Sequence, residues 1–269
     1  MSPNSDDVST GKWMRTGMIL ETAIGDLPDW LDPVVAFARQ ARVHRLTRYV
    51  PTHGQGRHSA VLILLAEGPQ ILLIEKGADL RSHAGQPAFP GGGVDRSDED
   101  AIAAAVREAR EETGLDPSGV VPFATLPDLW VPVSDYVVTP VLAWWQQVSE
   151  VHPADADEVA AVHVLQISEL VDPANRCIVR HPSGFLGPGF EVRDMLVWGF
   201  TGGLLSRFLD EVGWSEPWDR GRVVDLPLSR VDEPESGAGR VDERGAHERG
   251  VDGRGVDGRR ADERDVGEP

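Results

Sequence analysis

The sequence predicts an α/β protein, and three observations carry that expectation. Two β-rich apolar runs, Ser59 to Leu65 and Gln70 to Glu75, flank Ala66-Glu67-Gly68-Pro69, a hairpin pattern. An alanine-rich stretch at about 98–113 carries its apolar residues at helical spacing. Further strand-like segments follow and end in an apolar helical stretch.

Taken in order, residues 1–25 are weakly patterned and read as a poorly ordered N-terminus. Leu27 to Arg48 reads as a helix with Trp30, Val34, Val35, Phe37, Ala38 and Val43 on its apolar side. Pro28 and Pro33 suit its first turns. Arg42, Arg45 and Arg48 form the early basic cluster, either a solvated helix edge or a phosphate contact. After the hairpin, a polar loop runs from Lys76 to Gln86. Pro87-Ala88-Phe89-Pro90 then enters Gly91-Gly92-Gly93, where glycine lets the backbone approach a ligand closely. The helix at 98–113 is expected to take Ser97 as N-cap, with Asp98, Glu99 and Asp100 at the positive end of its dipole. Gly114 ends it, and Pro117 prevents resumption.

Val120 to Leu126, Tyr136 to Trp145 and Glu158 to Ile167 read as strands, and Ser168 to Val171 as a short helix. Arg176 to His181 and Gly189 to Arg193 read as further strands. Asp194 to Val212 reads as one apolar helix, with Gly199, Gly202 and Gly203 weakening its propensity. From Leu226 the chain turns to short Val-Asp repeats among glycines and charges, which cannot build a core. The expected organisation is therefore a poorly ordered 1–25, a folded domain at 26–225 and a disordered charged tail at 226–269.

The net charge of −18 argues against nucleic acid or an anionic membrane as a general partner. The longest apolar run is far shorter than the roughly 20 residues that span a bilayer. Cys177 is the only cysteine, so no internal disulfide forms, which fits a cytoplasmic protein. A buried, unreactive thiol is expected there rather than a catalytic one.

The chemistry is concentrated in Arg107-Glu108-Ala109-Arg110-Glu111-Glu112-Thr113-Gly114. On a helix, Glu108, Glu111 and Glu112 fall at i, i+3 and i+4 and share a face. Like charges that close destabilise a helix unless neutralised, and a hard divalent cation such as Mg²⁺ or Mn²⁺ is the usual neutraliser.

Gly93, Glu99, Arg107, Glu108, Ala109, Glu111, Glu112, Gly114 and Leu115 match G-x5-E-x7-R-E-U-x-E-E-x-G-U, so this stretch resembles the box of the Nudix hydrolases. The glycine is ambiguous. If Gly91-Gly92 is the family's double glycine, either Asp98 or Glu99 stands at the first acidic position. Upstream, Leu72, Leu73, Leu80, Arg81, His83, Gly85, Phe89, Pro90, Gly91, Gly92 and Asp95 resemble the coenzyme A pyrophosphatase branch, LLTxRSxxLRxHxGxVxFPGG. Ile74, Lys76, Gly77 and Pro87 depart from it, and the first two are expected to bear on substrate contacts. Leu196 to Thr201 and Glu158-Val159 also resemble late segments of that branch.

The resemblance, covering about Arg57 to Leu209, implies a mixed β-sheet sandwiched between helices. It implies hydrolysis of CoA or acyl-CoA to adenosine 3′,5′-bisphosphate and (acyl-)4′-phosphopantetheine. It implies Mg²⁺ or Mn²⁺ on Glu108, Glu111 and Glu112, with the Gly92 carbonyl and Glu158 as further candidate ligands, and in-line attack by water. Arg107 is expected to orient a helix glutamate. Lys76, Arg81, His83, Gly91 and Gly92 are the candidate substrate contacts. The expected partner is a CoA-type small nucleotide, and a homodimer stays open. Other nucleoside diphosphate derivatives (NADH, ADP-ribose, diadenosine polyphosphates) form the alternative. A non-catalytic module on the same scaffold is disfavoured because all three carboxylates are present.

Overall fold

In the computed structural model the described residues are 17–47, 49–52, 56–77 and 85–227. In chain order the elements are β1 (Met18–Ile19), α1 (Glu21–Ile24), α2 (Asp32–Gln40), α3 (Val43–Leu46), β2 (Arg57–Ala66), β3 (Gln70–Lys76), β4 (Pro87–Ala88), β5 (Gly91–Gly93) and α4 (Ala101–Thr113). They continue with β6 (Val120–Thr125), β7 (Leu129–Val131), β8 (Tyr136–Trp145), β9 (Val159–Gln166), α5 (Ile167–Val171), β10 (Arg176–Arg180), β11 (Leu186–Val192), β12 (Met195–Val197), α6 (Gly199–Val212) and β13 (Val223–Asp225).

The apolar run of β2 is continuous because both of its faces are covered. Ile63 and Leu65 pack with α2 and α6, through residues such as Phe37, Leu205 and Phe208. Ala60, Leu62 and Leu64 pack with Ala104, Ala105 and Ala109 of α4. Helices thus lie on both sides of a mixed sheet of nine strands, ordered β1-β6-β8-β2-β3-β4, with β5 also on β2, β7 on β8 and β9 on β3. Strand β2 runs parallel to β8, from Arg57↔Tyr136 to Leu65↔Trp144. The β2–β3 hairpin exists only at its turn, Leu65↔Ile71 and Ala66↔Gln70. Beyond it β3 pairs with β9 along its whole length. A second sheet, β12-β11-β10-β13, packs against α6 through Phe190, Val192 and Val197.

Four expectations need correction. The helix expected over Leu27 to Arg48 is three pieces: a 3₁₀ turn at Asp29–Leu31, then α2, then α3. Ala41 is extended (φ −56°, ψ 131°), and that break lets Leu46 reach the core already filled by Val34 and Phe37. The stretch Asp194 to Val212 is not one helix. Arg193 and Asp194 both take positive φ, 48° and 63°, in a tight turn that pairs Met195–Val197 with Phe190–Val192. The central helix starts at Ala101 rather than 98. Its N-cap is Asp100, whose carboxylate accepts from the Ile102 and Ala103 N–H groups, and not Ser97. The N-terminal stretch is structured from residue 17, because Met18 and Ile19 pair with Thr125 and Ala124. Residues 1–16, and the tail beyond 227, lie outside the described residues.

Candidate active site

Helix α4 buries Ala104, Ala105 and Ala109 against the sheet, so the remaining face looks toward the β4–β5 turn. Gly114, left-handed at φ 67°, ends the helix one residue after Thr113. The three glutamates are not equally buried. Glu112 is 2% exposed, while the Glu111 side chain is 58% exposed. Among the described residues, no three acidic, His or Cys side chains already converge on a metal-sized point.

Lys76 and Arg107 pair with these glutamates in the structure. Lys76 Nζ donates to Glu112 Oε1 at 2.7 Å, and the Gly91 N–H donates to Glu112 Oε2 at 2.8 Å. Burial pushes the Glu112 carboxyl up, opposed by Lys76 and by the Gly91 N–H. Glu108 is also pushed up by burial, opposed by Arg107. Its carboxylate lies close on the turn: a Cβ at Gly92 would sit 2.5 Å from it, so a side chain there would displace the Glu108 carboxylate. At Gly91, φ is 155° and a Cβ would sit 2.2 Å from the Ala60 carbonyl oxygen.

Arg107 uses all five of its donors. Nε and Nη2 form a fork on Asp98, at 3.0 and 2.9 Å. Nη1 donates to Glu108 Oε1 at 2.9 Å and to Glu111 Oε2 at 3.0 Å. The second Nη2 proton goes to the Gly93 carbonyl at 3.0 Å. The Arg107 guanidinium holds the Asp98 carboxyl below the usual carboxylate range, and Asp98 in turn holds Arg107 above its own. This geometry favours Asp98 over Glu99 as the partner of the box arginine, with Gly91-Gly92 as the close-packed glycines. The formal match through Gly93 and Glu99 is displaced by one residue.

Other predicted residues are placed less centrally. Arg81 and His83 lie outside the described residues. The base of their loop is closed by Lys76, whose N–H donates to the Gln86 carbonyl at 3.1 Å and whose carbonyl accepts from the Gly85 N–H at 3.1 Å. The Glu158 carbonyl accepts from the Gly77 N–H at 2.8 Å, which sets Glu158 beside the start of that loop. Ile74 is fully buried in β3, so any effect it has on substrate contacts acts through packing. Arg45 pairs with Glu211 at 3.0 Å, and Arg42 donates to the Ala41 carbonyl, which favours the structural reading of that cluster. Cys177 is buried, and burial pushes its thiol up. Sequence reasoning missed the partnership of Lys76 with Glu112 and gave Asp98 no preference over Glu99. The loop length between glycine and helix was the only available signal for the second.

A NUDIX domain family model matches residues 56–181. A relative from Citrobacter koseri named "Uncharacterized Nudix hydrolase NudL" is 39% identical over 166 residues, covering 58% of this chain and 83% of the relative. Its namesake from Escherichia coli K12 is 37% identical over the same length and shares. Among solved structures, a Nudix hydrolase from M. smegmatis, RenU, is similar at a TM-score of 0.43, with 21% identity over 61% of this chain and 91% of that one. Fold and carboxylate helix thus define a Nudix domain. The chain belongs to the Nudix hydrolase family and is an enzyme that hydrolyses pyrophosphate bonds. Enzymes of this family generally use divalent cations such as Mg²⁺ or Mn²⁺.

The residues present fit such a cation by their chemistry. Glu108 and Glu112 are oxygen donors directed at the same glycine turn, where a side chain at Gly92 would push the Glu108 carboxylate aside. Both are carboxylates whose burial gives an added positive charge something to offset. No helix among the described residues is long and apolar enough to cross a membrane.

Proposed function

We propose that this enzyme cleaves the diphosphate of CoA or acyl-CoA, with Mg²⁺ or Mn²⁺, to adenosine 3′,5′-bisphosphate and (acyl-)4′-phosphopantetheine. One observation carries the reading. The CoA-type motif runs from Leu72 to Gly92, and two of its residues, Lys76 and Gly91, both donate to the buried Glu112 of α4. The motif's loop is therefore anchored at both ends on the carboxylate helix, and Arg81 and His83 lie between the anchors.

In this reading Glu108, Glu112 and the Gly92 carbonyl hold the divalent cation, with Glu111 and Glu158 as further ligands. The cation, when bound, neutralises the diphosphate and polarises its phosphoryl oxygens. Arg107 has no donor left for substrate, so its role is to orient Glu108 and Glu111 and to tie the Gly93 carbonyl to the helix. Arg81 and His83 bind the substrate's anionic groups. A carboxylate of α4 or Glu158 takes the proton of the attacking water.

The alternative substrates draw their motive from Ile74, Lys76 and Pro87. Ile74 and Pro87 are buried in β3 and β4, which leaves Lys76 as the one of these three that faces the site. A panel of CoA, acyl-CoA, NADH, ADP-ribose and diadenosine polyphosphate, ranked by kcat/KM with Mg²⁺ or Mn²⁺, tests the reading. CoA or acyl-CoA is expected to lead. Intact CoA after long incubation beside ready turnover of another member replaces it with that substrate.

A further inference from the structure

The pairing at Glu112 has a consequence beyond substrate choice. The carboxylate is buried and both its oxygens are occupied, one by the Lys76 ammonium and one by the Gly91 N–H. A buried carboxylate requires a positive partner, and leaving one unpaired is strongly unfavourable. The ammonium and a divalent cation are two answers to that one requirement. They cannot both bind Oε1 at full strength, because like charges repel at that distance.

Lysine suits a displaceable partner. Its charge is compact and strongly hydrated, on a flexible four-carbon stem, whereas an arginine fork would clamp the carboxylate in two places. The Lys76 side chain is 21% exposed against 2% for Glu112, so the ammonium has water to move into and the carboxylate does not. We propose that Lys76 is a built-in counter-ion that holds Glu112 while no divalent cation is bound and competes with the cation for that carboxylate. The affinity of this site for metal is then set by Lys76 as well as by its glutamates. The proposal rests on the divalent-cation reading of the site.

Isothermal titration with Mn²⁺ alone, on the full chain and on Lys76→Met and Lys76→Arg, tests it without turnover. Lys76→Met is expected to bind Mn²⁺ about tenfold more tightly than wild type, within the usual range for coupled binding events. Lys76→Arg is expected to bind no more tightly than wild type. A second measurement needs no variant. The sequence holds one other lysine, Lys12, so reductive methylation read by peptide mass reports each amine separately. Lys76 should label several-fold faster with saturating Mg²⁺ than without it, with Lys12 unchanged as the internal standard. Mn²⁺ binding by folded Lys76→Met that is unchanged or weaker, or Lys76 labelling that does not rise with Mg²⁺, overturns the proposal. Turnover of CoA in the substrate panel is scored separately, so either idea can fail while the other stands.

Discussion

Arg107 is half-buried and Arg176 fully buried, and the protein handles their charges in opposite ways. Arg107, on the exposed side of α4, spends five donors on five oxygens, from Asp98, Glu108, Glu111 and the Gly93 carbonyl. Arg176, in β10 of the second sheet, is 0% exposed and meets no carboxylate within salt-bridge distance among the described residues. Its Nη2 and Nη1 donate to the Ser206 and Ser215 hydroxyls at 2.8 and 3.3 Å. The guanidinium lies between the rings of Phe190 and Trp218, 4.4 and 4.6 Å from their centroids, and Nε has no hydrogen-bond partner among the described residues. One arginine organises charge; the other is held by aromatic faces and hydroxyls. Burial lowers the Arg176 pKa, whereas carboxylates raise that of Arg107. Both environments keep an arginine charged, but only the first leaves carboxylates dependent on it.

The largest effect that would break this contrast is at Arg107. Arg107→Met frees three carboxylates and the Gly93 carbonyl at once. We expect kcat/KM for the preferred diphosphate substrate to fall on the order of 100-fold, as for residues that orient metal ligands. A fall of less than about threefold would remove the orienting role. Next comes Arg176→Ala, expected to cost about 2 kcal/mol in urea-monitored stability through the cavity and the lost hydroxyl bonds, with kcat/KM within about twofold of wild type. A large loss of activity in a stably folded Arg176→Ala would tie the second sheet to the chemistry.

The smallest effect concerns acid. Asp98 has a folded pKa below its unfolded value of about 3.9, so its contribution is full above that value and is lost as pH falls through the lower, folded pKa. Asp98→Asn should therefore be less stable than wild type near neutrality, by about 1 kcal/mol after solvent screening. Thermal melts from pH 7 to pH 2.5 should show that gap closing. Glu108 and Glu112 act with the opposite sign. Their pKa values are raised on folding, so their ionisation penalises the fold as pH rises above the unfolded value of about 4.3. A gap for Asp98→Asn that widens in acid contradicts the assignment of Asp98 to Arg107.

How much of this was legible in the sequence follows the same division. Helix α4, its Gly114 cap and the strands β2, β3 and β8 were readable because periodicity and turn residues are local signals. The carboxylates and Arg107 were readable because their spacing is a fixed pattern. The choice between Asp98 and Glu99 was not, since it depends on how the turn after Gly92 delivers the chain to Asp100. Met195-Leu196-Val197 was misread as helix because a short apolar run carries no period of its own. What decides it is the tight turn at Arg193 and Asp194, and Asp194 there is a tolerable rather than a typical left-handed residue. Nothing in the sequence near Arg176 marks it as buried, because its partners Ser206, Ser215 and Trp218 come from distant positions.

The parallel register of β2 on β8 also bears on how fast this molecule can fold. Arg57 meets Tyr136 across the whole segment that contains β3, β4, β5 and α4. Closing so long a loop costs entropy before any contact within it repays the cost, which slows folding. Helix α4 packs on Ala60 and Leu62 of β2, β5 pairs with the same strand, and the Gly91 N–H of β5 donates to Glu112. The carboxylates are therefore held in place by strand pairing on β2 as well as by their own helix. Amide exchange at α4 should accordingly track global unfolding rather than local fraying.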